Sequence, residues 1–167
     1  MKRQNLIIGI VALLVLIVVN SFVWQRESQA ATGQLLLLEL TPVDPRSLIQ
    51  GDYMHLQYAI AREIGDQTTD RAGYVVIQRD QNDVAHFRRA YEPNQPLAAD
   101  EHLLRYRRRI ASSRFGIVVA PTSFFFQEGH AAYYESAEYG EFRLSDSGEL
   151  LLVGLRDSEF RELGPPE

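Results

Sequence analysis

The chain contains no cysteine. Disulfides, thiol nucleophiles and thiolate metal sites are therefore excluded, and any folded domain must be held by its core alone. Lysine is almost as scarce, because Lys2 is the only one. Schiff-base chemistry and serine–lysine dyads are thus excluded from everything that follows the N-terminus. The four histidines, His55, His86, His102 and His130, show neither H-E-x-x-H nor H-x-H spacing, so no metal site is expected. No G-x-S-x-G elbow supports a hydrolytic triad, and no cofactor is expected. Positive charge is also in deficit, with 17 basic against 22 acidic residues. Lys2 and Arg3 precede the first apolar run. Without them 15 basic residues face the 22 acidic ones, a net charge of −7. That balance argues against a nucleic-acid partner, which rewards a basic face.

What the chain does have, first of all, is the run LIIGIVALLVLIVVNSFVW, Leu6 to Trp24. It carries no charge, and Asn20 and Ser21 are its only strongly polar residues. As a helix it would be about 28 Å long, close to the ~30 Å hydrocarbon core of a bilayer. Trp24 falls where an interfacial aromatic anchor belongs. Lys2 and Arg3 lie before the span, which puts the N-terminus in the cytoplasm and the remainder outside. A cleaved signal peptide is the rival reading, since Ser28-Gln29-Ala30 fits a cleavage site, but the run exceeds an ordinary signal core. Either reading exports the domain, and export without cysteine fits a bacterial inner-membrane protein with a periplasmic domain. The expected organisation is a cytoplasmic N-terminus at residues 1–5, a transmembrane helix at 6–24, a polar tether at 25–33, one exported domain at 34–163 and a tail at 164–167.

With 46% hydrophobic residues in 167, the exported part can bury a core. Gln34–Leu40, QLLLLEL, reads as a buried central strand. Asp44 reads as a helix N-cap with Pro45 at the first helical position. Ser47, Leu48 and Ile49 then fill one turn, which Gly51 stops in a left-handed conformation. From Tyr53 the pattern alternates, with Met54, Leu56, Tyr58 and Ile60 on one face and Tyr53, His55, Gln57 and Ala59 on the other. Tyr74–Gln78 and Val84–Tyr91 flank a turn at Asp80-Gln81-Asn82-Asp83. His102–Arg109 and Phe115–Val119 read as strands, and Phe142–Leu144 with Leu150–Leu155 as a last hairpin. The alanine-rich segment Glu128–Glu138 is the soluble helix candidate. The fold class is α+β, with a transmembrane helix followed by one mostly antiparallel sheet domain and one or two short helices.

The segment Gly51-Asp52-Tyr53-x-x-Leu56-x-Tyr58 is similar to the signature of the GDYXXLXY domain family. The lead-in around Asp44, Pro45 and Arg46 and the later stretch RFGIVVAPTSFFFQEG, Arg114 to Gly129, resemble the same family, with Gln127 at its usual proline position. The resemblance spans Leu35 to Leu155. It implies a bacterial membrane-anchored protein, often found with a multi-pass membrane protein, and brings no activity with it.

Candidate chemistry rests on few residues. Asp52 can lock its turn through backbone N–H groups or pair with Arg46, and the alternative is a catalytic carboxylate. His55 and Glu128 are the other catalytic candidates, although Glu128 can equally serve as a helix-start acid. Tyr53 and Tyr58 should face opposite ways, one in the core and one exposed. Arginines cluster in HFRRAYE and LLRYRRRIASSR. Arg105, Arg107 and Arg109 share one strand face, and with Arg88 they could take anionic lipid headgroups or an acidic partner, unless they form an acid-paired, solvated face. The expected function is a non-enzymatic accessory module of an envelope membrane complex. The alternative is an envelope hydrolase using Asp52 with Glu128 or His55.

Overall fold

In the computed structural model, described for residues 2–41, 49–50, 53–109 and 116–166, the chain is α+β. Helix α1 spans Lys2–Thr32, with a central run that is apolar on every face between polar ends. Its segment Ile7–Thr32 is long and apolar enough to cross a membrane. The two polar residues within its apolar run, Asn20 and Ser21, bond to the helix's own backbone. The Asn20 amide donates to the Leu16 carbonyl at 2.9 Å and the Ser21 hydroxyl to the Ile17 carbonyl at 2.8 Å, which satisfies these two donors within the helix. Residues 25–32, expected as a tether, are helical. The helix stops at Gly33, where a Cβ would come within 2.8 Å of the Arg143 Cβ and 2.5 Å of the Gln29 carbonyl oxygen. Only glycine permits that close approach.

Among the described residues, ten strands follow in three antiparallel sheets. The first has the order β1-β9-β10, built from β1 (Gln34–Glu39), β9 (Tyr139–Leu144) and β10 (Leu150–Arg156). Strand β1 is at the end of that order, but Leu37 also bridges Val84 in parallel, with its N–H donating to the Asp83 carbonyl at 2.8 Å. Leu36, Leu37 and Leu38 are all buried, which explains the unbroken apolar run: both faces of the strand are covered. The third sheet, β5-β4-β6-β7, is built from β4 (Ala72–Arg79), β5 (Ala85–Ala90), β6 (Glu101–Arg108) and β7 (Ile117–Val118). Its first hairpin turns as expected, because Asp80 Oδ1 accepts the N–H groups of Asn82 and Val84 at 2.8 and 2.9 Å.

The small second sheet, β2-β3-β8, holds the motif: β2 (Ile49–Gln50), β3 (Tyr53–His55) and β8 (Ser123–Phe125). Ile49, expected in a helical turn, is in this strand. The capped turn read at Asp44, Pro45 and Arg46, and the Gly51-Asp52 corner, lie outside the described residues. The alternation from Tyr53 holds through Tyr58, with Met54, Leu56 and Tyr58 buried. It then gives way to helix α2, Ala59–Gln67, so Ile60 belongs to a helix and not to a strand. Ile60, Ala61 and Ile64 are its buried face. Helix α2 has no side-chain N-cap, so the start signal that would have marked it is missing.

The expected helix over 128–138 is only a four-residue 3₁₀ turn, Ala131–Tyr134. Gly129 has φ +81, which no α-helix can contain. Tertiary packing then overrides the helix preference of alanine, because the buried Tyr134 ring is held against Phe124 and Phe126 at centroid distances of 5.0 and 5.3 Å. Phe142, Leu36, Leu38, Met54, Leu56, Ile64, Ile77, Leu104 and Leu155 are the largest fully buried side chains of one continuous core that joins all three sheets and α2.

Candidate functional site

The motif strand divides its residues between two tasks. Inward, Met54, Leu56 and Tyr58 fill the core. The Tyr58 ring meets the Phe142 ring edge-on at 5.7 Å, and its hydroxyl donates to the Pro121 carbonyl at 2.5 Å. Burial pushes the Tyr58 pKa well up, so the hydroxyl remains a donor. The backbone ties the segment on both sides. Leu56 N–H donates to the Thr122 carbonyl at 2.9 Å, and Thr41 N–H donates to the Gln57 carbonyl at 2.8 Å. Outward, Tyr53 pairs in register with Phe125, their rings 5.8 Å apart, and Phe125 is 74% exposed. His55 is exposed on the same face, opposite Ser123. Tyr53 and Tyr58 therefore face opposite ways.

Two concavities meet here, the first walled in part by this segment and the second beside the first. One, of about 370 Å³, has His55, Leu56, Tyr58, Ala61 and Ile117 in its wall. The other, of about 470 Å³, is lined by Arg26, Arg105, Arg107, Arg109 and Glu149 over an apolar floor. They share Arg109, Val118, Ala120 and Thr122. Strand period explains the cationic wall. Leu104 and Tyr106 point into the core, so Arg105 and Arg107 point out and are exposed. Arg105 is paired with Glu149 at 2.8 Å. Arg107 and Arg109 have no side-chain partner among the described residues. Arg108, on the inward face, is used structurally. Its guanidinium donates to the carbonyls of Gly65 and Thr68 at the C-terminus of α2, where a cation is favoured. Its Nε is buried without a partner among the described residues.

Arg88 is elsewhere. It is exposed on β5, which is separated from β6 by β4, at the point where the β4–β5 register shifts. Its neighbour Arg89 pairs with Glu101 at 3.1 Å. The Glu101 carboxyl is held below the ordinary carboxylate range, first by the N–H of Ala98 and then, against a raising effect of burial, by Arg89. Glu128 is exposed, ahead of the 3₁₀ turn, and lines neither concavity. Asp52 lies outside the described residues. Two contributors had no sequence signal. Arg26 falls inside the segment expected as a polar tether, and Phe125 is one phenylalanine of three. Gln29, read as part of a cleavage site, is the docking residue of α1. Its amide donates to the Arg143 and Glu149 carbonyls at 3.2 and 3.1 Å.

These features define a class: an apolar N-terminal helix docked on an antiparallel α+β domain whose central motif packs inward and presents aromatic rings outward. The chain belongs to the GDYXXLXY protein family, whose model matches residues 15–155. The match begins inside α1, so it includes part of the apolar helix as well as the domain. No curated protein and no solved structure matches the chain.

Proposed function

We propose that this protein is a membrane-anchored, non-enzymatic interaction module of a bacterial envelope complex. Helix α1 crosses the inner membrane once, the N-terminus is cytoplasmic, and the domain sits on the periplasmic side. Charge before the span and the aromatic Trp24 after it support that orientation. The observation that carries the reading is the Tyr53–Phe125 pair. A ring 74% exposed, packed at a tilt against the motif's own tyrosine, offers the large apolar contact that interface anchors provide. The partner we favour is a multi-pass membrane protein, held beside the domain by the shared bilayer. A photo-crosslinking residue replacing Phe125 should capture one membrane protein in intact membranes, identified by mass spectrometry. Capture of the same partner from a control position at Arg62 or Glu162, with none from 125, would sink this reading. A reporter fused after Glu167 should be active only if exported, and cytoplasmic reporter activity there would overturn the orientation.

A hydrolase using Asp52 with His55 is the second reading. The observation in its favour is that His55 lines the 370 Å³ cavity. Under the module reading, Asp52→Asn lowers partner recovery only as far as it lowers folded protein. Full folding and full partner recovery with loss of cellular rescue would favour the hydrolase.

A further inference from the structure

Docking of α1 has a chemical result at the membrane end of the domain. Gln29 holds the last turns of the helix to the β9–β10 hairpin through the Arg143 and Glu149 carbonyls. Arg26, one turn earlier, then meets Arg105, Arg107 and Arg109 around a single cleft of about 470 Å³. Four guanidinium groups converge here on a domain that is otherwise strongly acidic. The lining offers one carboxylate, Glu149, already engaged with Arg105. Like charges gathered in one concavity repel, and a planar fork of N–H donors is best matched by phosphate oxygens, two at a time. Beneath the arginines, Val118, Ala120 and Leu151 give an apolar floor suited to the carbons of a glycerol backbone.

We infer that Arg26, Arg105, Arg107 and Arg109 form a binding cleft for a phosphate-bearing anion, with an anionic phospholipid headgroup as its source. The lipid source rests on the reading that α1 crosses the membrane. Arg26 then lies just beyond Trp24, at headgroup level, and the cleft opens beside the bilayer surface. Arg88, on the far side of β4, takes no part.

The test uses the full chain in non-ionic detergent, titrated calorimetrically with short-chain phosphatidylglycerol, short-chain phosphatidylcholine and inorganic phosphate. Phosphatidylglycerol should bind saturably, weaken with added salt and outcompete inorganic phosphate. Combining Arg107→Gln with Arg109→Gln should weaken it by about tenfold or more, given the strength of charge-assisted contacts. Arg88→Gln should leave it unchanged. Both arginines are exposed, and an unaltered unfolding midpoint would show that the double variant folds. Equal affinity for inorganic phosphate would overturn the lipid source and leave a soluble phosphate as ligand. Equal binding of phosphatidylcholine, or an equal loss in Arg88→Gln, would overturn the cleft itself. Because the lipids are presented in solution, a failure here is separate from a failure of the exported reporter.

Discussion

Two segments each wall one of two adjoining concavities and use their residues in opposite ways. The motif segment Tyr53–Tyr58 commits its alternate side chains to the core and both of its backbone edges to neighbouring strands or loops. Strand β6 also buries alternate residues, Leu104 and Tyr106, but its other face carries Arg105, tied only to Glu149, and Arg107, whose side chain has no partner among the described residues. A motif that defines a family is thus mostly an architectural device on its inner face. The residues most available for contact are those on β6, on the end of α1, and on the outer face of the motif sheet. The specific signature and the accessible chemistry lie on different residues.

The inner face of the motif should give the largest effect. Leu56 is fully buried at 1% exposure, so Leu56→Ala should cost about 2–5 kcal/mol, the range for an unfilled core site. Chemical unfolding of the detergent-solubilised chain would check it, and a loss below about 1 kcal/mol would break the contrast with β6. Tyr58→Phe comes next. It keeps the ring on Phe142 but leaves the Pro121 carbonyl without its donor, at a cost of about 1–3 kcal/mol. A neutral result would show that packing alone fixes the motif.

How much of this was legible beforehand follows from what each signal depends on. Period-two alternation fixed Met54, Leu56 and Tyr58 as core, and the Asp80-to-Asp83 turn fixed the β4–β5 hairpin, because both signals are local. Helix α2 was hidden because it lacks a capping side chain and follows a strand without a break. The 128–138 segment misled for the opposite reason: its composition favours helix, yet Gly129 and the Tyr134 aromatic cluster decide the outcome. The arginine face of β6 was readable from spacing alone. The arrival of Arg26 beside it was not, since it depends on where α1 docks, and that is set by Gln29 meeting two carbonyls more than a hundred residues away.

A pH experiment sharpens the comparison within β6 itself. Glu101, at the start of the strand, has its folded pKa lowered by the Ala98 N–H first and then by Arg89. A lowered folded pKa means that the stabilisation is present above the unfolded value, about 4.3, and is lost as pH falls through the folded value. The chain should therefore lose stability on acidification below about pH 4, and Glu101→Gln should reduce that slope while leaving the slope between pH 6 and 8 unchanged. An unaltered acid limb in the variant would show that Glu101 is not tied to its partners in the folded state.

The smallest effect is expected at Arg107, and it is the one that divides fold from function most cleanly. Arg107 and Arg108 are the same residue type, adjacent on one strand, and they differ only in face. Arg108 donates to the carbonyls that close α2, so Arg108→Gln should cost about 1 kcal/mol through lost charge-assisted bonds at a helix C-terminus. Arg107 is exposed, its side chain has no partner among the described residues, and its β-bridge to Val118 is made by backbone that glutamine keeps. Arg107→Gln should therefore stay within about 0.5 kcal/mol of the parent, the range of an ordinary surface substitution. It could even be slightly stabilising, because it relieves repulsion among the guanidiniums around the cleft. Parallel unfolding of the two single variants reads this directly. Equal losses would show that the outward arginines belong to the fold after all, and would remove the reason to look for an anion between them.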